Sequence, residues 1–326
     1  MSRPSVVNGK LLMVVAFATG LLPVGHADSM PSVVRIGALT PLVATSPEEG
    51  LRQGLAVLGY VEGSNLIIER RRAETSDDLR SAAEDLVRSK VNLIVAFSTP
   101  AARAALSATS SIPVVFLSGD PVGTGLAKSL AHPGGNASGV STLSTELMPK
   151  RLELLQQIAP HVRRVILLGN PSSPLQVGVL KEARKAGEAL HIQVVAVDAR
   201  NAKELDAALL GLQHRAPDGF MVSSDVLFLA NRGKVAAAVG RARLPGIFPW
   251  RDYHDVGVLM SYGSSTKEMG RKAAVYVDKI LKGAKPADLP IEQSSNYELV
   301  IDLRVARELG LKVPQELLFR ADEVIR

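Results

Sequence analysis

The segment Asn92–Leu126 limits what the chain can fold into. Asn92-Leu-Ile-Val-Ala-Phe97 is a short apolar run, as expected of a strand buried on both faces. It stops at Ser98-Thr99-Pro100. Pro100 suits the first turn of a helix, and Ser98 or Thr99 suits its cap, because a hydroxyl there accepts one of the unpaired first-turn N–H groups. A helix over Ala101–Ala108 follows, then a strand over Ile112–Leu117, then the polar loop Ser118-Gly-Asp-Pro-Val-Gly-Thr-Gly125. Two adjacent parallel strands therefore end in polar loops on one sheet edge. Open α/β sheets bind ligands outside such carboxyl ends, so the stretch reads as half of a small-molecule cleft.

The same alternation runs through the rest of the chain. Strands are expected at 33–39 and 65–71, with helices at 47–58 and 76–90. Leu79, Ala82, Ala83, Leu86 and Val87 recur at helical spacing. The turn-rich His132–Gly139 leads out of this half. In the second half, helices are expected at 146–158, 175–190, 202–214, 231–242 and 267–282. Strands are expected at 164–170, 193–197, 219–224, 245–248 and 257–263. An extended return over 289–303 and a helix over 304–309 close the chain. This implies an α/β fold of two doubly wound, Rossmann-like lobes. The chain is expected to cross between them near Gly139, Gly257 and Pro290. The expected division is 28–140 plus about 257–288 for the N-terminal lobe, and 141–256 plus about 289–326 for the C-terminal lobe. Several crossings make a multi-strand hinge, and a hinge makes a closing cleft.

Composition narrows the chemistry. A chain of 326 residues with 46% hydrophobic content can bury two medium cores. It has no cysteine, which removes disulfides, thiolate nucleophiles and Cys-ligated metals. The net charge of +6 is scattered. Its one basic run, Arg70-Arg71-Arg72, ends a strand and comes with no nucleic-acid-binding pattern, so no nucleic-acid partner is expected. Residues 1–27 read as a signal peptide: Arg3 and Lys10 precede the apolar Leu11–Val24, and Gly25-His-Ala27 supplies small residues for cleavage. A periplasmic location is the expectation. Asn136-Ala-Ser138 matches a glycosylation acceptor, a motif too short to carry weight.

Enzymatic patterns are thin. None of the six histidines forms a metal-type pair. There is no Gly-x-Ser-x-Gly elbow, no phosphate loop and no dinucleotide fingerprint. Asp252, His254 and Asp255 read as a surface loop. No catalytic residue, metal or cofactor is expected.

Several segments in combination resemble a known family. They are Leu58-Gly-Tyr-Val-Glu-Gly-Ser-Asn65, Leu93–Pro100, Ile112–Phe116, Gly119–Leu126, Pro133–Gly139, Gly283–Pro290 and Asp302–Gly310. The chain resembles the ABC transporter substrate-binding proteins that include tryptophan- and tyrosine-binding members, over essentially 33–326. The resemblance implies a type I periplasmic-binding-protein fold, a small organic solute held between the lobes, and delivery to an inner-membrane ABC permease. Members often carry an acidic, asparagine-containing run after the Asn-Pro of the second lobe. Here it reads Asn170-Pro-Ser-Ser-Pro-Leu175, without a carboxylate, which leaves the solute's identity open. A sensor that docks a membrane receptor would have the same cleft.

An amino-acid-like solute then assigns roles. Its carboxylate wants hydroxyls and helix-start N–H groups, pointing to Ser98, Thr99 and Thr40. Its ammonium wants a carboxylate, pointing to Asp120, beside Pro121, and to Asp225. A flat side chain wants an aromatic wall, pointing to Trp250 and Tyr262. Asn170 at a strand exit completes the set. Each has a plainer alternative: helix caps for Ser98 and Thr99, turn formation for the aspartates, core packing for the aromatics. Tyr60 reads as a surface residue of a helix-end turn. A monomer is expected, since the cleft must open.

Overall fold

The computed structural model describes Met1 and residues 33–41, 45–73, 76–212, 215 and 217–326. The expected signal peptide lies outside the described residues. Residues 33–326 form one compact unit built on two sheets.

The first sheet contains β1 (Val34–Pro41), β2 (Leu66–Ala73), β3 (Leu93–Ala96), β4 (Val114–Ser118), β5 (Ala137–Ser141) and, far along the chain, β11 (Glu292–Gln293). Its order is β11-β5-β4-β3-β1-β2, and every pairing is parallel. Side chains alternate across it. Leu93 and Val95 meet Leu51 and Leu55 of α1 (Thr45–Val57) and Met269, Ala273 and Val277 of α9 (Thr266–Leu281). Ile94 and Ala96 meet Leu79, Ala83 and Leu86 of α2 (Ser76–Arg88) and the alanines of α3 (Thr99–Ala108). An apolar run is therefore needed at β3, because both faces are covered.

The second sheet contains β6 (Arg164–Gly169), β7 (Gln193–Asp198), β8 (Gly219–Val222), β9 (Gly246–Phe248), β10 (Met260–Ser264), β12 (Tyr297–Asp302) and β13 (Glu323–Ile325). Its order is β13-β12-β10-β9-β8-β6-β7, parallel except where β10 meets β12. Val165 and Leu167 face α4 (Met148–Ile158) and α5 (Gln176–Leu190). Ile166 and Leu168 face α6 (Ala202–Leu210), α7 (Val226–Ala230) and α8 (Arg232–Arg241). The helices α10 (Leu303–Glu308) and α11 (Gln315–Arg320) close this lobe. Among the described residues no helix is long and apolar enough to cross a membrane.

Both sheets share one strand order, β2-β1-β3-β4-β5 and β7-β6-β8-β9-β10. Each order reverses at a switch point, between β1 and β3 and between β6 and β8, where ligands of such sheets bind.

The crossings differ from the expectation at two places. β10 pairs with β9 and β12, so it belongs to the second sheet and the chain crosses after Ser264, not at Gly257. Gly257, at φ +73, instead caps the 3₁₀ turn Arg251–Val256. The return also comes later than Pro290. Pro290 accepts the Tyr276 hydroxyl at 2.5 Å and β11 pairs with β5, so residues up to Gln293 stay with the first lobe. One other expectation changes. Tyr60 is buried and bonds Asp278 at 3.1 Å. The Arg70–Arg72 run is neutralised by Glu48, Glu62 and Glu69.

Candidate functional site

The carboxyl ends of the two sheets face each other across a cleft. It encloses about 810 Å³ of space, counting its open mouth. The lobes touch at its margin: a Cβ added to Gly119 would lie 2.4 Å from Leu175 of the opposite lobe.

The first lobe contributes the start of α3. Ser98 is extended, and its hydroxyl accepts Ala101 N–H at 3.2 Å. Thr99 is 3% exposed; its hydroxyl lies 2.9 Å from that of Ser118 and accepts Gly119 N–H at 3.4 Å. Hydroxyls and the positive end of a ten-residue helix thus converge on one wall, an arrangement that favours an anionic group. Phe97, Leu117, Pro47 and Met269 make the rest of this wall apolar.

The second lobe contributes Asp225, at the end of β8 and the start of α7. It is 7% exposed. One carboxylate oxygen accepts Leu227 N–H at 2.8 Å and the other accepts the Asn170 amide at 3.2 Å. Burial pushes its carboxyl above the usual carboxylate range, against the opposing hydrogen bonds from Leu227, Asn170 and Ser173. Its anion is thus short of compensation, and a cation in the cleft would supply it. Trp250, Val226 and Leu229 line the cleft on the same lobe. Asp252 lines the cleft as well, and accepts the Ser46 hydroxyl at 2.6 Å and the Thr266 hydroxyl at 3.2 Å. Among the described residues, those lining the cleft include no Lys, Arg or His.

Of the residues singled out from sequence, Ser98, Thr99, Asp225 and Trp250 line the cleft. Asn170 stands behind the wall and holds Asp225. The other four lie elsewhere. Thr40 ends β1 but is buried, its hydroxyl without a partner among the described residues. Asp120 accepts Gly123 N–H at 2.7 Å, and the Pro121 carbonyl accepts Leu126 N–H at 2.9 Å, so both build their own turn. Tyr262 packs in the second core, its ring 6.0 Å from Tyr297. Its carbonyl accepts the guanidinium of the fully buried Arg151 at 2.8 Å.

Sequence reasoning missed Asp252, Ser173, Ser144 and Thr266 on the walls. For Asp252 the signal was present: it follows β9 by a few residues, as Asp225 follows β8. The expected surface loop at Asp252–Asp255 is instead partly interior. His254 is 6% exposed and its Nε2 lies 3.0 Å from Ser261 Oγ. This serine–histidine pair is sealed in the second lobe, away from the cleft, and burial pushes the imidazole down to about 4. Among the described residues no acidic or histidine cluster could hold a metal.

Comparison with known proteins identifies the family and the fold. The family described as ABC transporter substrate binding protein matches residues 44–325. A tyrosine-binding protein of Clostridioides difficile strain R20291 is 28% identical over 270 residues, 81% of this chain and 76% of that one. An ABC domain from Streptococcus pneumonia in complex with L-Trp matches with a TM-score of 0.85 at 26% identity, over 90% of this chain and 100% of that one. The ligand-free, open structure of a substrate binding protein with adhesive properties from Clostridium difficile matches with 0.65 at 26% identity, over 90% and 99%. The two-lobed architecture is that of type I periplasmic binding proteins.

Proposed function

The chain belongs to the ABC transporter substrate-binding protein family, whose members bind a solute rather than transform it, and from that premise we propose that it captures an aromatic α-amino acid between its lobes. The observation that carries this reading is Asp225, a buried carboxylate on the cleft wall short of a counter-charge, facing a cleft whose other lobe presents the Ser98 and Thr99 hydroxyls at a helix start. An α-amino acid carries both complementary charges on adjacent groups. Trp250, Phe97, Leu229 and Met269 supply an apolar surface on which a flat side chain can lie. Asp252 is committed to Ser46 and Thr266, which leaves one carboxylate for one ligand cation. The named relatives, one tyrosine-binding and one complexed with L-Trp, support the same class.

The reading extends to the setting. The chain acts in the periplasm, brought there by its N-terminal leader, and passes its solute to an ABC permease. The family membership and the leader-like residues 1–27 support this.

Trp250, the single tryptophan of the chain, lines the cleft and so reports on it. Titration with L-tyrosine, exciting tryptophan selectively, is expected to give a saturable change in its fluorescence. Asp225→Asn is expected to weaken the dissociation constant at least about tenfold, as for loss of a charge-assisted contact. An unchanged affinity in that variant would remove Asp225 from the site. The absence of binding by any aromatic amino acid would overturn the proposed class.

A further inference from the structure

Among the described residues two aspartates line the cleft, and their partners differ. Those of Asp225 all lie in its own lobe: Leu227, Asn170 and Ser173. Those of Asp252 lie across the gap. Ser46 is in the first turn of α1 and Thr266 is the first residue of α9, and both helices cover the first sheet. We infer that Asp252 is a closure latch, a residue that binds the opposite lobe rather than the solute and sets affinity by holding the cleft shut.

Both ends of the latch are rigidly mounted. On the first lobe, α1 and α9 are packed at backbone distance: a Cβ on Gly50 would lie 1.9 Å from the Lys267 carbonyl oxygen, and one on Gly270 would lie 2.0 Å from that of Pro47. Ser46 and Thr266 therefore move together. On the second lobe, the 3₁₀ turn bearing Asp252 is fixed by neighbours on either side. Arg251 forms a two-pronged ion pair with Glu323 at 2.7 and 2.8 Å, the Tyr253 ring is fully buried, and His254 meets Ser261. Parting the lobes would have to break the hydroxyl–carboxylate bond to Ser46; the one to Thr266 lies two residues past the crossing at Ser264.

These bonds are made by the chain itself, so they favour the closed arrangement whatever the cleft contains. Water replaces them on opening, which keeps their net effect modest. Removing the latch should lower the closed-to-open ratio about tenfold. A solute held by both lobes loses apparent affinity in proportion to the closed fraction.

The inference rests on the two-lobed binding reading above, and the following test separates the two. The chain lacks cysteine, so Val122→Cys in the first lobe and Val177→Cys in the second, both exposed, give one clean spin-label pair. Distances are measured on the ligand-free protein. The background with Asp252 intact should show a short-distance population. Asp252→Ala should shrink it about tenfold relative to the long one. Ser46→Ala with Thr266→Val should do the same while leaving the carboxylate in place, which guards against misfolding of the first variant. Asp225→Asn should leave the distribution unchanged. A short-distance fraction equal with and without the latch, or no such fraction when Asp252 is present, would overturn the latch. Failure of L-tyrosine to bind while the latch variants still shift the distribution would count against the amino-acid reading alone.

Discussion

At the scale of single residues, Asp225 carries a cost in stability, which the proposed binding role would explain. Burial raises its carboxyl above the ordinary 3.8, so the ionised form is less favourable in the fold than in the unfolded chain. That cost is absent below about pH 3.8 and grows as pH rises through the folded-state value. Asparagine keeps the helix cap without the charge. Asp225→Asn should therefore melt at or above the wild-type temperature at pH 7 and coincide with it in acid. A variant several degrees less stable at pH 7 would contradict this account. The residue scale also shows where sequence stops being legible. Position after a strand pointed to Ser98, Thr99, Asp225 and Trp250, and the cleft contains them. The same rule pointed to Asp120, whose carboxylate instead closes its own turn on Gly123, and to Thr40, which is buried. A strand end fixes where a residue sits, but not which way its side chain turns.

At the scale of elements, two packings govern the walls. The glycines of α1 and α9 allow the two helices to meet at backbone distance. Gly270→Val puts branched atoms where the Pro47 carbonyl lies, and should destabilise the protein by about 1–3 kcal/mol as overpacking does, measured by urea unfolding. The second packing is the turn that carries Trp250 and Asp252. It leans on His254, whose imidazole burial holds near 4, with Asp302, Arg251, Glu323 and Asp255 as its charged neighbours. Because the folded value lies below the ordinary 6.5, the unfolded chain takes up protons first. Stability is full above about pH 6.5 and falls as pH drops toward 4, by roughly 2–3 kcal/mol. His254→Gln should flatten the melting temperature between those pH values, and a slope equal to wild type would assign the acid loss to other groups. Most elements were legible, since β3 and β4 are apolar on both faces and α2 is amphipathic. The three-residue β13 was not, because Glu323–Ile325 carries no period and pairs with β12 for tertiary reasons.

At the scale of the whole molecule, two sheets of one strand order present their switch points to a shared cleft. The two-lobed plan could be read from the alternation of strands and helices. Two of the crossings could not: Gly257 and Pro290 look like hinge residues, yet one caps a 3₁₀ turn and the other anchors Tyr276 inside the first lobe. Which sheet a strand joins is decided by its partners, and β10 finds them in β9 and β12. The account's central claim is that the cleft binds an aromatic amino acid. The most direct test is a thermal-shift comparison of the chain from residue 28 onward, with L-tyrosine, L-tryptophan and L-phenylalanine against sugars and aliphatic amino acids. A solute at a hundred times its dissociation constant adds about 2.7 kcal/mol and should raise the melting temperature by a few degrees. The account predicts that rise with an aromatic amino acid and its loss in Asp225→Asn. A rise with a sugar and none with any aromatic amino acid would contradict it.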